Sequence, residues 1–222
     1  MPSEIKLFNM DCMEALREME DNQFDLAIVD PPYGIGENGN RNASRGKLAI
    51  AKDYKPFAGG DVSAPDPNYF DQLRRVSKNQ IMWGANHYID NLPFNCSSPC
   101  WVIWDKVTGK SDFADAEMAW TSFKTAVRML KFQWSGMLQG DMKNKEHRIH
   151  PTQKPVALYK WLLQNYAKPG DTILDTHFGS LSIGIACWDM GFDLTAYELD
   201  ADYFDAGKSR LEKHKAQGQF EF

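Results

Sequence analysis

The sequence is poor in cysteine: there are four in 222 residues, and only Cys96 and Cys100 stand close together. With no second close pair and no His-x-x-x-His run, a zinc site is disfavoured, no metal is expected, and Cys12, Cys96, Cys100 and Cys187 read as reduced structural thiols. No apolar run approaches the length needed to span a membrane. The opening MPSEIKLFNMDC is polar and acidic and lacks the basic-then-apolar build of a signal peptide, so a cytoplasmic location is expected. Internal repeats and low-complexity tracts are absent. So is any excess of positive charge: the formal net charge is −5, which weighs weakly against a protein that coats nucleic acid. The local balance differs. Lys106 to Lys154 carries nine Lys or Arg against five Asp or Glu, and Glu37 to Lys55 carries five against two. Taken alone such runs are usually solvated surface.

What remains is ordinary globular composition, 43% hydrophobic and 25% charged, in a chain long enough for one substantial core. A single domain over residues 1–222 is expected. Short β-rich runs alternate with amphipathic helices. Strands are predicted at Ile5–Phe8, Leu26–Val29, Gln80–Trp83, Trp101–Trp104, Thr172–Leu174 and Leu194–Tyr197. Helices are predicted at Met13–Met19, Tyr69–Val76, Val156–Ala167, Ile183–Met190 and Tyr203–Lys215. Asp66-Pro67 and Lys154-Pro155 signal helix starts, and Lys168-Pro169-Gly170-Asp171 signals a stop and a turn. This alternation predicts a doubly wound α/β sheet. Two stretches break it. Residues 34–62 are rich in Gly, Asn, Lys and Arg and read as a functional or mobile loop. Residues 106–149 hold aromatic-rich segments that read as a hairpin or irregular insert.

Chemistry enters at Asp30-Pro31-Pro32-Tyr33, where the first of the buried strands ends. Open parallel sheets bind ligands beyond the carboxyl ends of their strands. Two prolines lack N–H groups, so this segment leaves the ladder as a stiff extended piece with free carbonyls. Such a segment suits methylation of an exocyclic amine, whose lone pair is delocalised into its ring. The Asp30 carboxylate and Pro31 carbonyl can hold both amine hydrogens and stabilise the charge that develops on nitrogen. Tyr33 offers a face for stacking, and a base inside a duplex must be flipped out to reach it. The plainer reading is a Pro-Pro turn with an Asp cap.

A second constellation favours the chemical reading. Ile173-Leu174-Asp175-Thr176-His177-Phe178-Gly179-Ser180 reads as strand, loop and helix start. Glu198 follows Gly179 by nineteen residues and ends the next strand. A glycine turn followed at that distance by a strand-end acid binds an adenosine ribose through its hydroxyls. No GxGxxG stands here, so a nucleoside without a pyrophosphate fits better than a dinucleotide, and S-adenosylmethionine is one.

Taken in order, Asp30-Pro31-Pro32-Tyr33, His150-Pro151-Thr152-Gln153-Lys154-Pro155, the Asp175 to Ser180 turn and the Glu198 strand end resemble the amino-methyltransferases of DNA. The order, with the catalytic motif first and the cofactor motifs last, resembles their circularly permuted beta group, and the resemblance covers essentially the whole chain. It implies a Rossmann-like, S-adenosylmethionine-dependent methyltransferase fold with a seven-stranded mixed sheet, Ile5–Phe8 lying beside Leu194–Tyr197. It implies transfer of a methyl group from S-adenosylmethionine to the amine of a flipped-out adenine in double-stranded DNA. Asp30, Pro31, Pro32 and Tyr33 would form the target pocket. Asp30, Asp175, Phe178, Gly179 and Ser180 would line the methionine side of the cofactor, and Glu198 would accept from the ribose. Thr152, Gln153 and Lys154 would hold the methionine end, the lysine being suited to its carboxylate. Asn9-Met10-Asp11-Cys12 resembles the family's Gly-Asp-Cys, so Asp11 and Cys12 would hold the adenine ring. Candidate DNA contacts are Arg41, Arg45 and Lys47 in the first atypical stretch, and Lys106, Lys110, Lys124, Arg128, Lys143, Lys145 and Arg148 in the second, the candidate target-recognition insert.

The glycine loop departs from the family's Asp-Pro-Phe-x-Gly-Ser-Gly-Thr, with Thr176, His177 and Leu181 in place of Pro, Phe and the second Gly. A side chain at Leu181 is expected to limit backbone approach and to exclude low-cost positive φ. This loop, Trp83-Gly84-Ala85-Asn86-His87 and Asp115-Ala116-Glu117-Met118-Ala119-Trp120 resemble phage-type members and suggest a phage or prophage origin. The competing readings are a methyltransferase acting on RNA or on a glutamine side chain, which typically begins the motif with Asn, and a catalytically silent DNA-binding relative. A cytosine amine target would show Ser at position 30, and a dehydrogenase would need the missing glycines. A short insert implies recognition of few base pairs or help from a homodimer. The tail Gln217 to Phe222 resembles peptides that dock on sliding clamps, against the plainer reading of a frayed end.

Overall fold

The computed structural model describes residues 3–36, 61–93, 97–109, 114–135 and 138–218. Arg41, Arg45, Lys47, Lys110, Cys96 and the last four residues of the tail lie outside these segments, as does most of the 34–62 stretch.

An eight-stranded sheet runs through the chain. Its strands are β1 (Ile5–Asn9), β2 (Phe24–Val29), β3 (Ser77–Trp83), β4 (Trp101–Asp105), β5 (Ala116–Thr121), β6 (Arg128–Lys131), β9 (Thr172–Asp175) and β10 (Asp193–Glu198). The spatial order is β1-β10-β9-β2-β3-β5-β4-β6, and β7 (Trp134–Ser135) and β8 (Leu138–Gln139) form a separate two-stranded ribbon. β1, β10, β9, β2 and β3 run parallel to one another, while β5 is antiparallel to both its neighbours. Ile5 does pair with Leu194, so the two end strands of the sequence are neighbours. The sheet has one strand more than the resemblance implies, because β6 adds to the open edge of β4.

Five helices cover the two faces: α1 (Cys12–Glu18), α2 (Pro67–Val76), α3 (Val156–Tyr166), α4 (Ser182–Met190) and α5 (Ala201–Gly218). The period of two in a strand sends alternate side chains to opposite faces. Leu26 and Ile28 of β2 therefore join Leu158 and Leu162 of α3, Ile183 of α4 and Leu211 of α5. Ala27 and Val29 join Leu16 of α1 and Phe70 and Leu73 of α2 on the other face. Asp66 caps α2 through the Tyr69 amide at 3.1 Å, with Pro67 in the first turn, where a missing N–H does no harm. Pro155 is the N-cap of α3, so Lys154 lies just before the helix.

The second atypical stretch does more than the sequence suggested. Its Ala116–Thr121 segment is an internal strand, with Ala119 and Trp120 buried, wedged between β3 and β4. Of the stretch's described residues, Arg128–Lys131 add the edge strand β6 to the same sheet.

Chain direction reverses where β9 and β2 meet. β9 continues through α4 to β10 on one side, and β2 continues through α2 to β3 on the other, with α4 and α2 on opposite faces. That is a topological switch point, and the crevice beyond the carboxyl ends of these two strands is where such sheets take ligands. Asp30 follows β2 and Asp175 ends β9.

Candidate active site

Asp30 leaves β2 half-buried, and its two carboxylate oxygens have different partners. Oδ1 accepts the Tyr33 hydroxyl at 2.7 Å, and Oδ2 accepts the Lys154 ammonium at 2.5 Å. The same ammonium lies 3.1 Å from the Tyr33 hydroxyl oxygen and 3.1 Å from Glu117 Oε2. Lys154 is 4% exposed, so its charge is held by these neighbours and not by water. Burial pushes the Asp30 carboxyl up, with Lys154 pulling against it and Glu117 adding to it. Burial would lower the Lys154 ammonium, but Asp30 and Glu117 together hold it up. Glu117 is the reverse case: burial would raise it, and Lys154 and Lys106 outweigh that and bring it to about 2.

Tyr33 is fixed by groups the sequence did not single out. Asp61 accepts the amides of Tyr33 at 2.6 Å, Gly34 at 2.7 Å and Ile35 at 3.2 Å, so one buried carboxylate organises the turn after the two prolines. Gly84 follows β3 with φ +72°, and a Cβ there would lie 2.1 Å from the Tyr33 ring. The absence of a side chain is thus what lets the ring lie against the end of β3. The exposed His87 ring stacks on Tyr33 at 5.3 Å, with planes 16° apart.

On the neighbouring strands the cofactor candidates gather as the spacing predicted. Glu198 Oε2 accepts the Gly179 amide at 2.8 Å, and Oε1 accepts the Asp200 amide at 2.9 Å. Burial pushes the Glu198 carboxyl up, and these amides act against it. Asp175 is buried, accepts the His177 amide at 3.0 Å, and is raised by burial to about 8. Asp11 caps α1 through the Met13 amide at 2.8 Å at the end of β1, and Cys12 is buried beside it, with its thiol raised by burial to about 12.

Other candidates turn elsewhere. Gln153 is buried, accepting the Ile149 amide at 2.9 Å through its side chain and the Trp134 indole at 2.8 Å through its carbonyl. Thr152 stays exposed and touches the His150 ring at 3.0 Å. Ser180 is buried toward Ser182, and its carbonyl takes the Arg210 guanidinium at 2.8 Å. The Phe178 ring packs on Phe204. Lys154 is the largest departure, because its ammonium reaches the Asp30 carboxylate and not the glycine turn. Among the basic candidates, Lys124, Arg128, Lys143 and Lys145 are exposed. Lys106 instead pairs with Glu117 and lies over the Trp104 ring, and Arg148 lies over Trp134 at 4.4 Å.

Leu181 takes up the left-handed conformation all the same, at a cost. It adopts φ +57° at the N-cap of α4, so the side chain does not exclude the left-handed region there. Its side chain is fully buried, and the room comes from two glycines: a Cβ on Gly184 would lie 2.7 Å from it, and one on Gly207 3.1 Å. The left-handed backbone costs on the order of 1–2 kcal/mol, and burial of a leucine offsets it. Leu181→Ala should destabilise the protein by about 2–5 kcal/mol, read from denaturant midpoints, since it keeps the strained backbone and loses the packing. An unchanged midpoint would show that the leucine packs loosely.

The fold is that of S-adenosylmethionine-dependent DNA methyltransferases of known structure. The solved structure of the cytosine-N4-specific PvuII DNA methyltransferase superposes with a TM-score of 0.61 at 12% identity, covering 97% of this chain and 91% of that one. The M1.HpyAVI–SAM complex superposes with a TM-score of 0.55 at 17% identity, covering 93% of this chain and 100% of that one. The type II methyltransferase M.HinfI of Haemophilus influenzae is 23% identical over 92% of this chain and 67% of its own length. Residues 103–209 match the DNA methylase family of N6 and N4 type. The chain is similar to DNA methyltransferases of that type over most of its length. Among the described residues, no helix is long and apolar enough to cross a membrane, and no three His, Cys, Asp or Glu residues gather as a metal site would require.

Proposed function

We propose that the protein methylates the exocyclic amine of adenine in double-stranded DNA, on a base flipped out of the helix, with S-adenosylmethionine as donor. The observation that carries this reading is the Asp30 carboxylate at the switch point, ordered by Tyr33 and Lys154 on opposite oxygens. Each carboxylate oxygen has a second lone pair, so Asp30 can still accept from an amine. Asp30 and the Pro31 carbonyl hold the two amine hydrogens, which turns the nitrogen lone pair toward the cofactor crevice and stabilises the charge that develops on it. The Tyr33 ring already carries a flat partner in His87, and a base stacks on the same ring system. An acid at position 30 favours adenine over cytosine as the target.

The residues present suit an adenosine-bearing cofactor. Glu198 is partly exposed and keeps lone pairs beyond those given to the two amides, as an acceptor of ribose hydroxyls requires. The single Gly179 turn offers no phosphate cradle, which agrees with a nucleoside donor. When bound, S-adenosylmethionine supplies the activated methyl group. Asp175 and Gly179 would line its methionine side, and Asp11 and Cys12 its adenine side. Exposed Lys124, Arg128, Lys143 and Lys145 would meet DNA phosphates.

Incubation with tritiated S-adenosylmethionine and duplex DNA, followed by nucleoside analysis, tests the proposal. N6-methyladenine is expected. N4-methylcytosine, or label in RNA or protein alone, would overturn the assignment. Glu198→Ala should weaken S-adenosylmethionine binding by about 1–3 kcal/mol in calorimetry, the scale of hydrogen bonds to a charged acceptor, and unaltered affinity would remove Glu198 from the site.

A further inference from the structure

Glu117 lies in the Asp115–Trp120 segment, to which neither the family's motifs nor the reaction above gives a role. It sits on β5, and its carboxylate takes a lysine on each side, Lys106 on Oε1 and Lys154 on Oε2 at 3.1 Å. Asp30, Glu117, Lys154 and Lys106 thus form one chain of alternating charge running from the end of β2 into the sheet. Buried ion pairs are weak stabilisers, since well-packed apolar groups often do as well or better. Their presence beside the reacting segment points to placement of charge as the reason.

Lys154 has three N–H bonds; Asp30 and Tyr33 accept from two of them, and Glu117 is an ion-pair partner at 3.1 Å. The ammonium is thus held among three groups of the target-base pocket. With Glu117 in place the ammonium is shared; without it, Asp30 would hold the whole counter-charge. A fully neutralised Asp30 is a poorer partner for a nitrogen that becomes positive.

Resting on the adenine-methyltransferase reading, we propose that Glu117 is a positioning residue that keeps Lys154 in the target-base pocket and draws its charge away from Asp30, so that Asp30 faces the amine with most of its own charge. The groups facing Lys154 are Asp30, Tyr33 and Glu117 directly, with Lys106 behind Glu117, and Asp175 and His150 within electrostatic reach. Tyr88 and Tyr159, which face Asp30, are buried phenols raised well above their usual range by that burial.

The test is the pH profile of the single-turnover methylation rate. Removing the negative charge of Glu117 makes both Asp30 and Lys154 easier to deprotonate. Glu117→Gln should therefore move both limbs of the profile to lower pH, by about one unit, the usual size of a neighbouring-charge effect, and lower the plateau roughly tenfold. Cofactor affinity should stay as in the wild type. Lys106→Met removes the positive charge on the far side of Glu117 and should move both limbs to higher pH, a reversal of sign that a merely structural role would not produce. This second variant also carries the test if Glu117→Gln fails to fold. A profile and plateau unmoved in a folded variant would overturn the proposal, and so would shifts of the same sign in both variants. Methylation of adenine by the wild-type protein separates these outcomes from a failure of the underlying reading.

Discussion

Asp30→Ala is expected to abolish methyl transfer while leaving folding and cofactor binding nearly intact. In the proposed reaction Asp30 faces the nitrogen on which charge develops, so its contribution belongs to the transition state and should appear in turnover rather than in affinity. Loss of one such preorganised acceptor costs on the order of a hundredfold or more in rate. Asp30→Asn separates geometry from charge. It keeps the shape and one carbonyl acceptor for Tyr33, but among the described residues Lys154 is then left with Glu117 as its only anionic neighbour within 4.0 Å. Partial activity would show that hydrogen-bond geometry dominates, and near-complete loss that charge does. The assay is tritiated methyl incorporation into adenine-containing DNA, with cofactor binding measured in parallel. Wild-type turnover by a folded Asp30→Ala protein would place the chemistry elsewhere.

Lys154→Met should act on stability as well as rate. It leaves the buried Asp30 without its ammonium and Glu117 with Lys106 alone, and breaking a buried pair on one side costs about 3–5 kcal/mol. Part of this cost depends on pH. Glu117 is depressed from 4.5 to about 2 in the folded protein, so its stabilisation is fully present above pH 4.5 and is lost as pH falls through 2. Lys154→Met should shrink that increment, and stability should vary less between pH 5 and 3 than in the wild type. Denaturant melts across this range measure it. Calorimetry with S-adenosylmethionine then decides where the lysine serves. The geometry predicts nearly unchanged cofactor affinity with loss of turnover. A large loss of affinity without loss of stability would return Lys154 to the methionine end of the cofactor.

The parallel strands were legible because they are buried on both faces and so carry continuous apolar runs ended by Asp, Pro or Gly. Leu26–Val29 and Thr172–Leu174 were recognised to within two residues on that basis. The Glu198 and Gly179 partnership was legible because strand, turn and helix lengths in a βαβ unit leave little freedom in the spacing between them. β5 was missed as a sheet strand. Ala116–Thr121 is antiparallel and reached from β4 through a long connection, and its aromatic content suits an insert as well as a strand. Which way the Gln153 and Ser180 side chains turn was not legible from motif position, and both are buried, toward Ile149 and Ser182.

Asp61 and Glu117 show the same limit from the other side. An acid in a polar loop and an acid in an aromatic strand carry no local sign of function. Their roles appear only when the turn after the prolines, the end of β3 and the start of α3 converge. Leu181 is similar: its sequence signal was a missing glycine, and its accommodation depends on Gly184 and Gly207 in two different helices. The amino-acid sequence by itself determined the alternation of strands and helices, the carboxylates at their ends and the order of the motifs, because these follow from local periodicity and short connections. The tertiary structure alone placed the Lys154 ammonium against Asp30 and Glu117. That placement is set by which charges share a low-dielectric pocket, and the partners lie 124 residues from Lys154 at Asp30 and on a separate strand at Glu117.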